Sequence, residues 1–136
     1  MTLQVGVKVL IRNDAGEYLF LLRSPSFKPG EKQRWDIPGG RINMDERLHE
    51  ALAREVTEET GMELASVDSL LAAQDIFVPE KDLHVVRLTY IGAADGDVTL
   101  SDEHSEYKWM TAAEALGQET DSYLAAALGE SQGDVA

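Results

Sequence analysis

The chain has 136 residues, 43% of them hydrophobic, which suits a single domain with its own core. It has no cysteine, so disulfide frameworks, thiolate nucleophiles and cysteine-based metal sites are excluded. A formal charge of -13 argues against a general nucleic-acid binder, because a duplex rewards basic patches.

If the substrate of so acidic a chain is a polyphosphate, bound cations or a basic loop must supply positive charge locally. The N-terminal MTLQVGVKVLIRND lacks the basic segment, long apolar core and cleavage site of a signal peptide. No run approaches the ~18 apolar residues that span a membrane, so a cytoplasmic protein without membrane partners is expected.

Leu3 to Ile11 and Tyr18 to Arg23 read as strands, joined in a hairpin by the turn-forming Asn13-Asp14-Ala15-Gly16. Ser24 to Trp35 reads as a loop, followed by a short strand around Asp36 and Ile37. The basic side chains Arg23, Lys28, Lys32 and Arg34 gather there, and Arg23 and Arg34 are candidate phosphate contacts; the alternative is ordinary solvated loop charge.

After Pro38-Gly39-Gly40, a helix is predicted from Glu46 to Thr60, with Asp45 as N-cap and Gly61 as the left-handed residue past its end. Ser66 to Val78 and Leu83 to Gly92 read as strands around the Pro79 to Asp82 turn, and Tyr107 to Met110 as a shorter one. Thr111 to Glu114 has capping-box spacing and opens a helix toward Leu116. A further helical stretch covers Ser122 to Leu128, and Gly129 to Ala136 reads as a frayed tail. Strands alternating with helices and hairpins suggest a mixed sheet covered by helices, hence an α/β or α+β fold.

The acids of the first helix carry the chemistry. At ~100° per residue, Leu48, Leu52 and Val56 form the core-facing stripe, while Glu55 and Glu59 fall within about 45° of Leu48 and Glu58 lies a little further round. A solvated surface helix accounts for Glu46 and Glu50 but poorly for Glu55 and Glu59. Carboxylates at i, i+3 and i+4 crowd one small volume, a costly arrangement unless a cation neutralises them. Hard oxygen ligands alone favour Mg²⁺ or Mn²⁺. Arg54 stands at ion-pair spacing from Glu58, and Gly39 and Gly40 permit close approach of backbone to phosphate or metal.

Taken together, Gly40, Glu46, Arg54-Glu55-Val56, Glu58-Glu59 and Gly61-Met62 fill every position of G-x5-E-x7-R-E-U-x-E-E-x-G-U, where U is a bulky aliphatic. The chain therefore resembles the Nudix hydrolase superfamily, MutT-type, over a box spanning Gly40 to Met62, and Trp35 to Gly40 resembles the strand and turn that commonly precede it. The resemblance implies a Nudix fold, an α/β/α sandwich around a mixed β-sheet. It also implies hydrolysis of a nucleoside diphosphate linked to another group, by in-line attack of water on phosphorus.

By the same resemblance, Gly40, Glu55, Glu58 and Glu59 bind metal, Glu59 or an acid from another loop helps deprotonate the water, and Arg54 orients a carboxylate. Glu46 supports the loop and helix start. Glu103 stands six residues before Trp109, as does an assisting glutamate in MutT-type enzymes, and is a candidate metal ligand and catalytic residue. Glu106 is the alternate, an acidic surface loop is the bland reading, and His104 reads as a polar surface residue.

The favoured activity is a nucleoside triphosphate pyrophosphohydrolase. Hydrolysis of ADP-ribose, a nucleotide sugar or a dinucleoside polyphosphate is the alternative, and a non-catalytic nucleotide sensor ranks below both. Phe27, Trp35, Phe77 and Tyr123 are candidates to stack on a base, with a core role equally open to each. Oligomeric state is left open, although many relatives are homodimers.

Overall fold

The computed structural model describes residues 1–25 and 32–133, so Phe27 and Lys28 of the predicted basic loop lie outside the described residues. Among the described residues, seven strands and three α-helices follow in chain order, with a 3-10 turn at Pro79–Lys81: β1 (Thr2–Ile11), β2 (Tyr18–Arg23), β3 (Trp35–Asp36), β4 (Gly39–Arg41), α1 (Leu48–Thr60), β5 (Glu63–Val78), β6 (Leu83–Asp95), β7 (His104–Met110), α2 (Ala112–Leu116) and α3 (Ser122–Gly133). The mixed sheet has the order β4-β1-β6-β5, with β1 and β6 parallel and its other pairs antiparallel. A second, antiparallel sheet has the order β3-β2-β7.

β1 is apolar on both faces because it is covered on both. Val7, Val9 and Ile11 pack with Leu52 and Val56 of α1, whereas Leu10 packs with Phe20, Ile37, Met110 and the α3 residues Leu124 and Leu128. Each fully buried side chain of this kind stabilises the fold by about 1.5–3 kcal/mol. α1 is thus fixed against one face of the mixed sheet. α2 begins on the capping box anticipated from sequence, Thr111 and Glu114 exchanging side-chain and backbone bonds.

Several local expectations are corrected. β1 and β2 do not form a hairpin ladder: they share only the bridge Arg12–Tyr18, because β4 and β6 occupy both edges of β1 and β3 and β7 both edges of β2. The turn itself is present, with Asn13 Oδ1 accepting the Ala15 and Glu17 N–H groups. Asp45 is not the N-cap. It takes φ 62° in a turn closed by the Asn43 and Glu46 bonds, and α1 starts after Arg47, which makes no side-chain cap. Gly61 does close the helix at φ 69°.

β5 starts at Glu63 and β6 runs on to Asp95, past predicted ends at Ser66 and Gly92; register shifts along β5 interrupt its periodicity. β7 starts at His104 rather than Tyr107. The expected frayed tail is helical through Gly133, with Ser131 buried beside the Tyr18 hydroxyl at 3.3 Å. Among the described residues, no helix is long and apolar enough to cross a membrane.

Candidate active site

The helical period places the acids of α1 at three depths. Glu59 is buried at 7% exposure, the Glu55 side chain is 15% exposed, and that of Glu58 is 58% exposed. Glu59 Oε2 accepts the Gly39 N–H at 3.1 Å, which ties the end of α1 to β4. Burial pushes the Glu59 carboxyl up to about 8, with the negative charges of Glu55 and Asp36 adding to the rise and the Gly39 bond and Lys8 opposing it. Gly40 lies against the Glu55 carboxylate so closely that a Cβ there would stand 2.6 Å from Cδ.

Arg54 organises the neighbouring carboxylates. Its Nε and Nη2 donate to Glu46 at 2.8 and 3.0 Å, a fork-on-fork pair, and Nη1 donates to Glu55 at 2.9 Å and to Glu58 at 3.3 Å. Nη2 also reaches the Arg41 carbonyl, linking helix to β4. The Arg54 bonds, aided by the Asn43 N–H, hold the Glu46 carboxyl down at about 2. Glu46 is therefore a pinned loop support and not the freely solvated acid that its wheel position suggests.

A cleft of about 680 Å³ opens beside this cluster. Gly39, Gly40, Arg54, Glu55 and Glu59 line one side, Glu103 and His104 another, and Ile76, Val78, Leu83 and Val85 of the β5–β6 hairpin form an apolar end. Glu58 does not line the cleft, and neither does Glu106. The Glu103 carbonyl accepts the Ser24 N–H at 2.9 Å, fixing the β7 approach against the end of β2. His104 is buried, contrary to its reading as a surface residue, and burial lowers its pKa, as does the charge of Arg23. The nearby Asp36 pulls the other way.

An adjoining lobe of about 380 Å³ holds Arg23, Lys32, Arg34 and Trp35 and shares Lys8, Asp36, Arg23 and Arg87 with the main cleft. The structure thus brings Arg23 to both cavities and Arg34 to the second. Of the stacking candidates, Trp35 lines this lobe, Tyr123 lies beneath Arg87, and Phe77 is exposed and stacked on His84.

Three cleft residues escaped the sequence reading. Lys8 Nζ donates to Asp36 Oδ2 at 2.9 Å and to the Ile37 carbonyl at 3.3 Å, with both side chains of the ion pair mostly buried. Burial opposes ionisation of Asp36, but Lys8, the Ile37 N–H and the charge of Arg87 together outweigh it and the carboxyl lies below its usual value. Arg87, on the adjacent strand β6, is the third. The available signal was a lone charge in an otherwise apolar stretch, Val5 to Ile11, whose two faces must both be covered.

The donor set suits a hard divalent cation. Glu55, Glu59 and Glu103 offer carboxylate oxygen around the backbone of Gly39 and Gly40, and among the described residues the lining holds no sulfur and one imidazole. Among the described residues, no three acidic or histidine side chains stand as a closed cage: Arg54 engages Glu55 and Glu58, and the Gly39 N–H engages Glu59.

The family model for the NUDIX domain matches residues 2–128. The chain belongs to the NUDIX family. As a Nudix protein it is a hydrolase acting on acid anhydrides of phosphorus. One relative, the nucleoside triphosphatase NudI of Salmonella agona (strain SL483), is 30% identical over 112 residues, covering 74% of this chain and 77% of its own. The crystal structure of the MutT protein from Methanosarcina mazei Go1 is 32% identical with a TM-score of 0.82, covering 97% of this chain and 95% of that one. The solution structure of the E. coli ORF135 protein shares the fold at a TM-score of 0.86 and 23% identity, over 100% of this chain and 93% of the other.

Proposed function

We propose that this Nudix hydrolase is a Mg²⁺-dependent nucleoside triphosphate pyrophosphohydrolase, releasing a nucleoside monophosphate and pyrophosphate in a cytoplasmic setting, with Mn²⁺ as a substitute ion. The observation that carries it is the convergence of Glu55, Glu59 and Glu103 beside the Gly39–Gly40 backbone, facing a wall of Lys8, Arg23 and Arg87. A triphosphate needs that pairing, with acids to hold a cation at the reacting anhydride and protein cations for the remaining negative charge. The nucleoside triphosphatase named among the relatives points the same way.

Glu55, Glu59, Glu103 and the Gly40 backbone at the cleft would hold the ion, with the exposed Glu58, which stands outside the cleft, swinging in to join them. The ion when bound supplies a Lewis acid and lowers the pKa of a water. Arg54 keeps Glu55 and Glu58 oriented through its anchorage on Glu46. Glu59, or Glu103 across the cleft, accepts the proton of the attacking water. Arg23 and Arg34 contact substrate phosphate, and the Gly39 and Gly40 backbone allows its close approach.

The test is release of phosphate or pyrophosphate from nucleoside triphosphates, ADP-ribose, nucleotide sugars and dinucleoside polyphosphates with Mg²⁺, Mn²⁺ or EDTA. Metal-dependent pyrophosphate release from triphosphates is expected. Cleavage confined to another class would replace the substrate assignment, and binding without cleavage of any compound would favour a sensor.

Glu103→Gln is expected to lower kcat by about 10- to 100-fold with an unchanged melting temperature, since the side chain is exposed at the cleft and makes no structural ion pair among the described residues. Unchanged kcat would return Glu103 to an acidic surface loop.

A further inference from the structure

The adjoining lobe has an uneven supply of donors and acceptors. Its acids are already engaged. Asp36 Oδ2 takes Lys8 and Arg23, and its Oδ1 takes the Ile37 N–H. Asp121 accepts Arg87 Nη1 on both oxygens at 3.2 Å, and its Oδ1 also accepts the Leu124 N–H at the start of α3.

Arg87 is held but not exhausted. Its side chain is 19% exposed, the guanidinium carbon lies 6.0 Å from the Tyr123 ring centroid, and among the described residues Nε and Nη2 have no hydrogen-bond partner. A guanidinium held through one nitrogen by a carboxylate and lying over an aromatic ring has less rotamer freedom to lose when a ligand arrives. Arg87 also lines both lobes, so its side chain borders the cleft that the glutamate cluster lines.

We propose that Arg87 selects the substrate by donating to acceptor oxygens on the part of the nucleotide that is not cleaved. Those oxygens are either base carbonyls or phosphate oxygens. Asp121 and Tyr123 act as positioning residues, and Trp35 offers a flat surface in the same lobe. Because Asp36 and Asp121 already accept from protein donors, the lobe presents Arg87 as a donor with spare N–H groups, and bases carrying ring carbonyls at the read edge are preferred. This inference rests on the nucleoside triphosphate reading.

The experiment compares the parent with Arg87→Met, Arg87→Lys and Asp121→Asn by steady-state kinetics in Mg²⁺ on dUTP, dTTP, dATP and inorganic tripolyphosphate, with thermal melts to verify folding. Arg87→Met is expected to raise KM for dUTP and dTTP roughly 10- to 100-fold with kcat nearly unchanged, the effect of losing one charged donor. If dATP is spared, the partner is a base carbonyl. If all four compounds suffer alike, it is a phosphate oxygen. Asp121→Asn should raise KM for the same substrates by a smaller factor, and Arg87→Lys should recover only part of the loss.

Unchanged kcat/KM on every compound in a folded Arg87→Met protein would overturn the proposal. If the parent hydrolyses none of them, the triphosphate reading fails by itself. Calorimetric titration with dUMP then decides the role of Arg87: weaker binding to the variant supports it, and equal binding overturns it.

Discussion

Replacing Glu59 by glutamine is expected to lower turnover by at least about 100-fold and, in the absence of divalent metal, to make the protein more stable than its parent at pH 8. Both effects have one cause. The Glu59 carboxyl is buried beside Glu55 and Asp36, and its pKa is pushed from 4.5 up to about 8. A folded-state value above the unfolded one means that the folded form prefers the proton. Its contribution to stability is therefore fully present below about pH 4.5 and is lost as pH rises through about 8.

Each pKa unit corresponds to about 1.4 kcal/mol, so the parent should lose a few kcal/mol across that window. Glutamine keeps an oxygen for the Gly39 N–H, carries no charge and does not titrate. Melting curves in EDTA between pH 5 and 9 should therefore diverge, the parent falling with pH and the variant holding. Adding Mg²⁺ at pH 8 should restore the parent alone, because an ion bound only to the folded state shifts the equilibrium toward it. Parallel curves for the two proteins would show that Glu59 is not a strained acid.

The sequence revealed Glu59 because a helix imposes its period locally. Once Leu48, Leu52 and Val56 are assigned to the core, the depths of Glu55, Glu58 and Glu59 follow, and the structure has the first and third facing the cleft and the second outside it. Strand pairing has no such local rule. Residues Asn13 to Gly16 do turn the chain, but whether β1 continues beside β2 depends on which strands claim their edges, and β4, β6, β3 and β7 come from distant sequence.

The same distinction explains the unforeseen Lys8, Asp36 and Arg87. Alternation along a strand tells which residues share a face, whereas the part of that face left uncovered is set by long-range packing: α3 residues cover Leu10, Leu71 and Ile91, while Gly6 and Lys8 line the cleft. Residue identity misled the reading at Asp45, a good N-cap type. Arg54 reaches back from α1 to clamp Glu46, and residues 43–46 close as a turn rather than a helical start.

Two adjacent glycines should fail in opposite ways when given a methyl group. Gly39 has φ 150° and packs on β1 so tightly that an added Cβ would overlap the Val7 carbonyl oxygen and stand 2.7 Å from Lys8 Cα. Backbone at the centre of the mixed sheet cannot retreat. Gly39→Ala is therefore expected to cost about 3 kcal/mol or more, a melting temperature lower by roughly 10 °C, through strain and separation of β4 from β1.

At Gly40 the nearest atoms are Cδ and Oε1 of Glu55, the end of a flexible side chain, at 2.6 Å. That chain can swing aside, so Gly40→Ala should melt within a few degrees of the parent while losing roughly tenfold or more in kcat, because the carboxylate no longer holds its place. Thermal melts and Mg²⁺-dependent turnover of the two variants make the comparison. Parent-like turnover in Gly40→Ala would show that the position of Glu55 is not critical to the reaction, and a parent-like melt for Gly39→Ala would disprove the rigid β4–β1 contact on which Glu59 is seated.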